Sequence, residues 1–337
     1  MTLPPVNQDK DAITLDPNFS TTRLVTQEKP VITNDPSSKV QSVLFLPPNP
    51  ERRGEGGLRT KGYFKKSYDE ESDLSGNLLV PLVTIITVVF NSEKYLEQTI
   101  QSVINQAYDN VEYIVIDGGS TDGTVDIIRK YENQIDYWVS EPDGGIYDAM
   151  NKGIVLSRGQ IVGLINSGDG YIDGAISSII KVHLNHPSSI LTGNCKAILS
   201  EPSKWIIASG RFEMLPYRMI PHSSVFVPLS VYERQGMFDT SFKIAGDYDF
   251  LGRCYSRGIT FVTIDEILSV ASPRGVSGDY YLANLEFTRV RLRHQLLPKF
   301  YSFLLTLRSF CTITGHKALE HLGLWYLIEA KRHGSIR

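Results

Sequence analysis

The stretch Val83-Thr-Ile-Ile-Thr-Val-Val-Phe-Asn91 decides the fold class, because its first seven residues are all β-branched. A continuous run of this kind is typical of a strand that is buried on both faces of a sheet. Asn91 or Ser92 can cap a helix after this strand. The apolar positions of that helix fall on one face and are Leu96, Ile100, Val103, Ile104 and Ala107. The stretch therefore predicts a buried strand followed by a covering helix.

The same alternation continues along the chain. Further strands are predicted at 111–117, 135–140 and 161–165, and helices at about 124–131 and at 146–156. After residue 169 the spacing loosens, with a helix predicted over 175–184 and a strand over 190–199 that leads into a hairpin. Residues 200–280 are expected to add a second half to the same sheet. Alternating strands and helices predict an α/β fold, with a mostly parallel central sheet covered by helices on both faces.

Polar side chains stand where the predicted strands end. Asp117 precedes two glycines, and Asn166 and Asp169 follow a later strand. Open α/β sheets bind nucleotides in the crevice outside the carboxyl ends of their strands. Asp117 can accept hydrogen bonds from a ribose or a base, or it can simply cap its turn. Asp169 can bind a hard divalent ion, with phosphate oxygens and waters completing the shell.

Other site classes are disfavoured, because the sequence has no GxxxxGK[ST], GxGxxG, HExxH or GxSxG pattern. Asp247 and Asp249 lie in a segment that can begin a helix, where they point in different directions. One carboxylate can face a substrate hydroxyl as a general base, while the other binds at the helix N-terminus; alternatively, both cap the helix. His222 is either a structural loop histidine or a residue near the acceptor.

Composition narrows the class of protein. The 337 residues carry a formal net charge of −3, so no nucleic-acid partner is expected. Three widely spaced cysteines argue against a disulfide framework, and the N-terminus lacks a signal-peptide pattern. A cytoplasmic protein is therefore expected. Residues 1–77 are predicted to be a mostly disordered tail. Its basic stretch at 51–66 is either a solvated linker or a flap near an anionic diphosphate.

The segment 285–337 is predicted to be a basic amphipathic helical tail. Apolar bulk with flanking positive charge is typical of a helix lying in a membrane interface, and the equal alternative is a helical pair packed on the domain. The apolar run is too interrupted for a transmembrane helix. The predicted main domain covers 78–284, with a nucleotide-sugar half at 78–170 and an acceptor half at 171–284.

Taken together, over about residues 80–275, these blocks resemble the family 2 glycosyltransferases, which have the GT-A fold. Residues 117–122 resemble the Asp-Asp-x-Ser-x-Asp turn of that family, and residues 141–153 resemble a subgroup of bacterial exopolysaccharide and colanic-acid-type enzymes. Asp169 matches the last acid of the metal motif, and Asp247 matches the catalytic base. The resemblance implies nucleotide-sugar contacts from Thr87, Asn91, Asp117, Asp143, Lys152, Asn166 and Arg274, and acceptor-side positions for His222 and Asp249.

The resemblance further implies inverting transfer from a nucleotide sugar, assisted by Mg²⁺ or Mn²⁺. A UDP-sugar is the first expectation for the donor, and a GDP-sugar is the second. The acceptor would be a glycan or a lipid-linked glycan, with peripheral membrane contact through 285–337. The Gln-x-x-Arg-Trp signature of processive synthases is absent, so a single sugar is expected per encounter. Gly118 and Gly168 replace acids of the family motifs. A non-catalytic sugar-nucleotide-binding subunit is therefore an alternative; a sugar nucleotidyltransferase fits less well.

Overall fold

The structure is a computed structural model that describes residues 12–66, 80–199, 203–272 and 279–321. The strands are β1 Val25–Thr26, β2 Gly54–Gly56, β3 Phe64–Lys65, β4 Val83–Val89, β5 Val111–Asp117, β6 Tyr137–Ser140, β7 Ile161–Asn166, β8 Gly170–Tyr171, β9 Ile190–Ile198, β10 Trp205–Ala208, β11 Val225–Pro228 and β12 Phe261–Ala271. The α-helices are α1 Leu96–Ile104, α2 Thr124–Lys130, α3 Ile146–Leu156, α4 Ala175–His183, α5 Leu229–Gln235, α6 Gly246–Ser256, α7 Tyr280–Arg293 and α8 Lys299–His321.

One large sheet organises the molecule, in the order β2-β6-β5-β4-β7-β11-β9-β12-β8, with β10 paired to β9. The four central strands β6, β5, β4 and β7 are parallel. β11 runs antiparallel to both of its neighbours, and β12 lies parallel to β9. The predicted α/β class is confirmed, and so are the strand at 111–117 and the helix at 146–156, both with the expected bounds. The expectation of a mostly parallel sheet holds for the four central strands, whereas β2, β8, β10 and β11 pair antiparallel with their neighbours.

Both faces of the central strands are covered, which explains why β4 is buried along its whole length. All seven residues of β4 are buried. Ile86 and Val88 belong to one hydrophobic core, while Ile85 and Val89 belong to the other. Because successive strand residues point to opposite faces, each core takes every second side chain.

The prediction of a mostly disordered N-terminal tail is wrong for residues 12–66. β2 pairs antiparallel with β6 and forms one edge of the main sheet. The basic stretch is also not a free linker. The Arg59 Nη2 atom lies 2.6 Å from the Glu112 Oε1 atom, and both side chains are almost fully buried. Ion pairs formed across long sequence separations order this segment. Residues 1–11 and 67–79 lie outside the described part.

The described part of the C-terminal segment consists of α7 and α8. α7 begins at Tyr280 and packs on the domain, which corresponds to the alternative of a packed helical pair. Val290 is fully buried, and the α7 residue Glu286 is 7% exposed. α8 packs on α7, where the Thr288 and Thr306 hydroxyls lie 2.6 Å apart. Within the described residues, no helix is both long enough and apolar enough to cross a bilayer. Residues 322–337 lie outside the described part.

Candidate active site

The carboxyl ends of β4, β5 and β7 meet at one edge of the sheet. The parallel register pairs Val89 with Asp117 and Val88 with Asn166. This register places the turns after the three strands side by side, as the sequence predicted. The crevice above these turns is the candidate site, because backbone and side-chain groups of several elements converge there.

Asp117 lies beneath the floor of this crevice. Its carboxylate accepts hydrogen bonds from the Ser120 backbone N–H at 2.9 Å, the Ser140 hydroxyl at 2.6 Å and the Ser120 hydroxyl. The side chain is fully buried. Asp117 therefore holds the turn and offers no free oxygen to a nucleotide, which corresponds to the turn-capping alternative.

Thr87 is also placed away from the crevice, contrary to the expected nucleotide contact. It is fully buried, and its hydroxyl lies 3.0 Å from the Tyr113 hydroxyl. Strand alternation points Thr87 into the core. Phe90, one residue past β4, is instead 63% exposed beside the crevice. Its signal in the sequence was an aromatic residue directly after a buried strand.

Asn91 shapes the rim of the crevice. Its backbone is left-handed, with φ of 46°. Its side-chain Oδ1 atom accepts a hydrogen bond from the Thr121 N–H at 2.8 Å. Asparagine tolerates this backbone conformation better than most residues. Asn91 thus ties the turn after β4 to the turn after β5, next to Phe90.

The turn after β6 brings Asp143 to the crevice, and the following helix α3 brings Lys152. Lys152 lies 2.9 Å from the Glu141 carboxylate, which also accepts a 2.9 Å hydrogen bond from Arg52. Burial would raise the pKa of Glu141, but the hydrogen bonds from Lys152 and Arg52 outweigh burial and lower it. Lys152 therefore fixes the turn, and Asp143 stands at its tip. Burial raises the pKa of Asp143 above its usual value.

Asp169 follows β7 in a turn that requires glycine. Gly168 has φ of +100°, a conformation that an aspartate would adopt only with strain. The missing acid of the metal motif thus has a backbone reason. The Asp169 Oδ1 atom accepts the Ser272 N–H at 3.0 Å, and burial raises the pKa of Asp169. The nearby Asn166 Oδ1 atom is buried and has no partner within the described part of the chain.

The donor groups around Asp169 fit a divalent cation in part. The carboxylate of Asp169 and the unpartnered Asn166 Oδ1 atom are oxygen ligands of the kind that Mg²⁺ and Mn²⁺ take. Clusters of three or more His, Cys, Asp or Glu side chains suited to a metal are absent from the described residues. A cation here would therefore need oxygens from a bound diphosphate and water to fill its shell.

Asp247 lies in the first turn of α6 and is 8% exposed. Its Oδ1 atom accepts hydrogen bonds from the Tyr248 N–H at 2.8 Å and from the Tyr147 hydroxyl at 3.2 Å. Burial raises the pKa of Asp247 to about 7. A carboxylate that titrates near neutral pH is suited to remove a proton from a hydroxyl.

His222 joins the two acids. Its Nδ1 atom lies 3.8 Å from the Asp247 Oδ2 atom, and its charged form would interact with Asp169. Burial lowers the pKa of His222, which favours the neutral imidazole. Its Nε2 atom is buried and finds no partner among the residues that the structure describes. The structure therefore brings Asp169, His222 and Asp247 together, as the sequence predicted.

Three residues that position Asp247 were not predicted. The single Tyr147 hydroxyl proton is shared between Asp247 and the Ile244 carbonyl, which lies 2.6 Å from the hydroxyl oxygen just before α6. A Cβ atom on Gly246 would lie 2.8 Å from the Tyr147 ring, so glycine permits this approach. Glu286 of α7 accepts three backbone N–H groups, those of residues 243–245, at 2.8–2.9 Å. The role of Tyr147 could have been suspected from its place in the segment 145–147. No local sequence pattern pointed to Glu286.

Asp249 is not on the acceptor side of the site. Its carboxylate is 2% exposed and lies 2.8 Å from the His294 Nε2 atom and 3.0 Å from the Arg293 Nη1 atom. Burial would raise the pKa of Asp249, but these hydrogen bonds outweigh burial and lower it. Asp249 therefore ties α6 to α7. Arg274, the predicted phosphate contact, lies outside the described residues.

Comparison with known proteins agrees with this geometry. The family model described as glycosyl transferase family 2 matches residues 84–239. An uncharacterized glycosyltransferase of Mycobacterium tuberculosis is 35% identical over 179 residues, which cover 51% of this chain and 68% of that protein. The chain belongs to glycosyltransferase family 2.

Solved structures show that this glycosyltransferase has the GT-A-like fold expected from the sequence. S. aureus TarS in complex with UDP-GlcNAc matches with a TM-score of 0.55 at 18% identity, over 72% of this chain and 78% of that chain. The match covers 43% of a longer TarS chain. The mannosyltransferase PcManGT from Pyrobaculum calidifontis, in complex with GDP-Man and Mn²⁺, matches with a TM-score of 0.53 at 16% identity, over 77% of this chain and 81% of that chain.

Proposed function

We propose that this glycosyltransferase moves one sugar from a nucleotide-sugar donor to a hydroxyl of a glycan or lipid-linked acceptor, with inversion, in polysaccharide synthesis. The observation that carries the proposal is the state of Asp247. Its carboxylate is buried, held on one oxygen and has a pKa of about 7. A base of this strength changes protonation state within the neutral range, where it can accept a proton and be restored.

In the proposed reaction, the acceptor hydroxyl approaches Asp247 and His222. The Asp247 Oδ2 atom takes the proton while the hydroxyl oxygen forms a bond to the anomeric carbon. The bond between that carbon and the diphosphate oxygen breaks on the opposite face, through an oxocarbenium-like transition state. The 3.2 Å hydrogen bond from Tyr147 holds the other oxygen of the base in place. Alignment and electrostatics supply most of the rate acceleration.

The donor binds, in this proposal, over the turns after β4, β5, β6 and β7. TarS is seen with UDP-GlcNAc and PcManGT with GDP-Man and Mn²⁺, which supports a nucleotide sugar as the donor class. Asp169 and Asn166 would hold a Mg²⁺ or Mn²⁺ ion that neutralises charge on the departing diphosphate. Ser272 keeps Asp169 aimed into the crevice through its backbone N–H.

Calorimetry tests the donor part of the proposal. UDP-, GDP-, dTDP- and CDP-sugars would be titrated into the protein with and without Mn²⁺. We expect metal-dependent binding of one nucleotide class, and loss of the metal-dependent part in the Asp169→Ala variant. Metal-dependent binding that survives this substitution would remove Asp169 from the site. Binding without transfer or donor hydrolysis would favour the non-catalytic sugar-nucleotide-binding subunit.

A surface stripe on α8 supports peripheral contact with a lipid-linked acceptor. Four apolar side chains at helical spacing i, i+3, i+4 and i+7 are each more than 40% exposed: Phe300, Phe303, Leu304 and Leu307. The opposite face packs on α7 through Thr306. Lys299 and Arg308 are exposed beside the stripe. Apolar side chains flanked by positive charge suit an anionic membrane surface.

Vesicle co-sedimentation tests this contact. The protein should sediment with vesicles that contain anionic lipid and less with neutral ones. A Phe303→Ser variant should lose binding, whereas Thr312→Ser, on the same helix but outside the stripe, should not. Equal binding of both variants would refute the contact, and self-association through the stripe would appear as a dimer by light scattering.

A further inference from the structure

Gly118 leaves a space that another residue fills. A Cβ atom built on Gly118 would lie 2.6 Å from the Asp143 Oδ2 atom and 3.3 Å from its Cγ atom. Real Cβ atoms do not approach other heavy atoms within 3.0 Å. The backbone of Gly118 lies outside the left-handed region, so its conformation does not require glycine. A side chain at position 118 would therefore displace the Asp143 carboxylate, which occupies that space.

The turn after β6 is built to hold Asp143 there. The Glu141 N–H donates to the Asp117 carbonyl at 3.0 Å, which docks this turn on the turn after β5. Arg52 and Lys152 clamp the Glu141 carboxylate from two sides. The Asp143 Oδ1 atom accepts the Gly145 N–H at 2.8 Å. The Oδ2 atom lies over Gly118. It has no hydrogen-bond partner among the described residues, so it can accept a hydrogen bond from a ligand.

An aromatic face stands beside this oxygen. The Phe90 Cδ2 atom lies 3.4 Å from the same built Cβ position, and Phe90 is 63% exposed. A phenyl ring beside a carboxylate is the combination that recognises a nucleobase: the ring stacks on the base, and the carboxylate accepts an N–H from its edge. Uracil, thymine and guanine carry a ring N–H on that edge, whereas cytosine has an acceptor nitrogen at the corresponding position.

We infer that the Asp143 carboxylate, seated over Gly118 beside Phe90, selects donors whose nucleobase carries a ring N–H. This inference rests on the proposed nucleotide-sugar function and names the residues that read the base. It also accounts for Gly118 at a position where the family motif has an aspartate. Asp143, which follows β6, supplies the acid instead. A side chain at position 118 would exclude the Asp143 carboxylate from this place.

The test is calorimetric binding of UDP, GDP, dTDP and CDP to the full-length chain. At least one of the first three should bind more tightly than CDP. Asp143→Ala should weaken that nucleotide about tenfold or more, the usual effect of losing a hydrogen bond to a charged group. It should weaken CDP little, so the selectivity should collapse. Asp126→Ala on α2, whose carboxylate is 82% exposed, is the matched control and should change neither affinity.

Position 118 supplies the second arm. Gly118→Ala should weaken binding in the wild-type background but not in Asp143→Ala, and Gly118→Asp combined with Asp143→Ala should restore part of the selectivity. Gly144→Ala, where an added Cβ meets nothing closer than 3.6 Å, controls for the extra methyl group. Nucleotide binding with unchanged selectivity in Asp143→Ala would overturn the inference alone. No nucleotide binding by the wild-type chain would overturn it together with the proposed function.

Discussion

Replacing Asp247 by asparagine should stabilise the protein while abolishing transfer. Burial raises the pKa of Asp247 from its ordinary value near 3.8 to about 7. Each unit of pKa difference corresponds to about 1.4 kcal/mol. Holding the ionised carboxylate in the folded state therefore costs about 4 kcal/mol near pH 8, where the group is charged in both states. Asparagine keeps a similar shape and an oxygen that accepts the Tyr248 N–H, without that cost.

The sign of the pH dependence is fixed by this pKa. The folded state holds a proton on Asp247 up to about pH 7, whereas the unfolded state loses it near pH 4. The stabilisation by Asp247→Asn should thus grow as the pH rises from about 4 to 7 and then level off. At about pH 4.5 it should be about 1 kcal/mol or less. Urea unfolding curves at several pH values measure this difference.

Asp249→Asn is the matched control, two residues along the same helix. The pKa of Asp249 is lowered in the folded state, so its charge stabilises the fold above its ordinary pKa, and that contribution is lost as the pH falls through the folded pKa. Asp249→Asn should therefore destabilise the protein near neutral pH and less in acid, the opposite trend. It should leave acceptor KM unchanged, because Asp249 faces His294 and Arg293.

The transfer rate gives a second test of the Asp247→Asn substitution. Removal of a general base typically costs 10²–10⁴-fold in rate. Transfer by wild type should rise with pH through about 7, as Asp247 ionises. Asp247→Asn should retain donor binding by calorimetry but lose transfer and this acid limb. A stability difference that is the same at every pH, or transfer at the wild-type rate, would refute the reasoning.

Two other predictions concern packing around the site. Gly246→Ala should lower kcat, because the added Cβ would lie 2.8 Å from the Tyr147 ring and displace it. Gly252→Ala, on the same helix, is the control: its added Cβ meets nothing closer than 3.2 Å, so its effect on kcat should be mild. Equal kcat values for the two variants would contradict this prediction. Arg59→Met should cost about 3–5 kcal/mol in unfolding free energy, because it leaves the Glu112 charge buried without its partner. Adding Glu112→Gln to Arg59→Met should recover part of that loss, and additive costs in urea unfolding would argue against a coupled pair.

The strands of the central sheet were predictable because their signal is local. Val83–Val89 and Val111–Asp117 are apolar runs bounded by turn residues, and Ile146–Leu156 shows a clear apolar face. The N-terminal strands were not predictable. β2 has only three residues, two of them glycine, and it forms because β6 offers an edge. Pairing of this kind depends on tertiary context rather than on propensity.

The candidate site divides in the same way. Asp169, His222 and Asp247 meet as the order of the motifs predicted. Asp117 and Asp249 depart from their predicted roles, since their oxygens are taken by partners that no local pattern reveals. Ser140 reaches Asp117 from 23 residues away, and His294 reaches Asp249 from 45 residues away. Residue type marks a carboxylate as useful, but only the folded chain shows whether its oxygens are free.

The pairing of β2 with β6 has a consequence for handling this protein. The family model begins at residue 84, so a shortened chain guided by it would omit β2. The backbone groups of β6 that pair with Gly54, Glu55 and Gly56 would then be open to other chains. Unpaired edges of this kind template aggregation between molecules. The segment before the family domain thus covers the sheet edge within the same molecule. Its removal should lower the solubility of the protein more than it lowers the transfer activity.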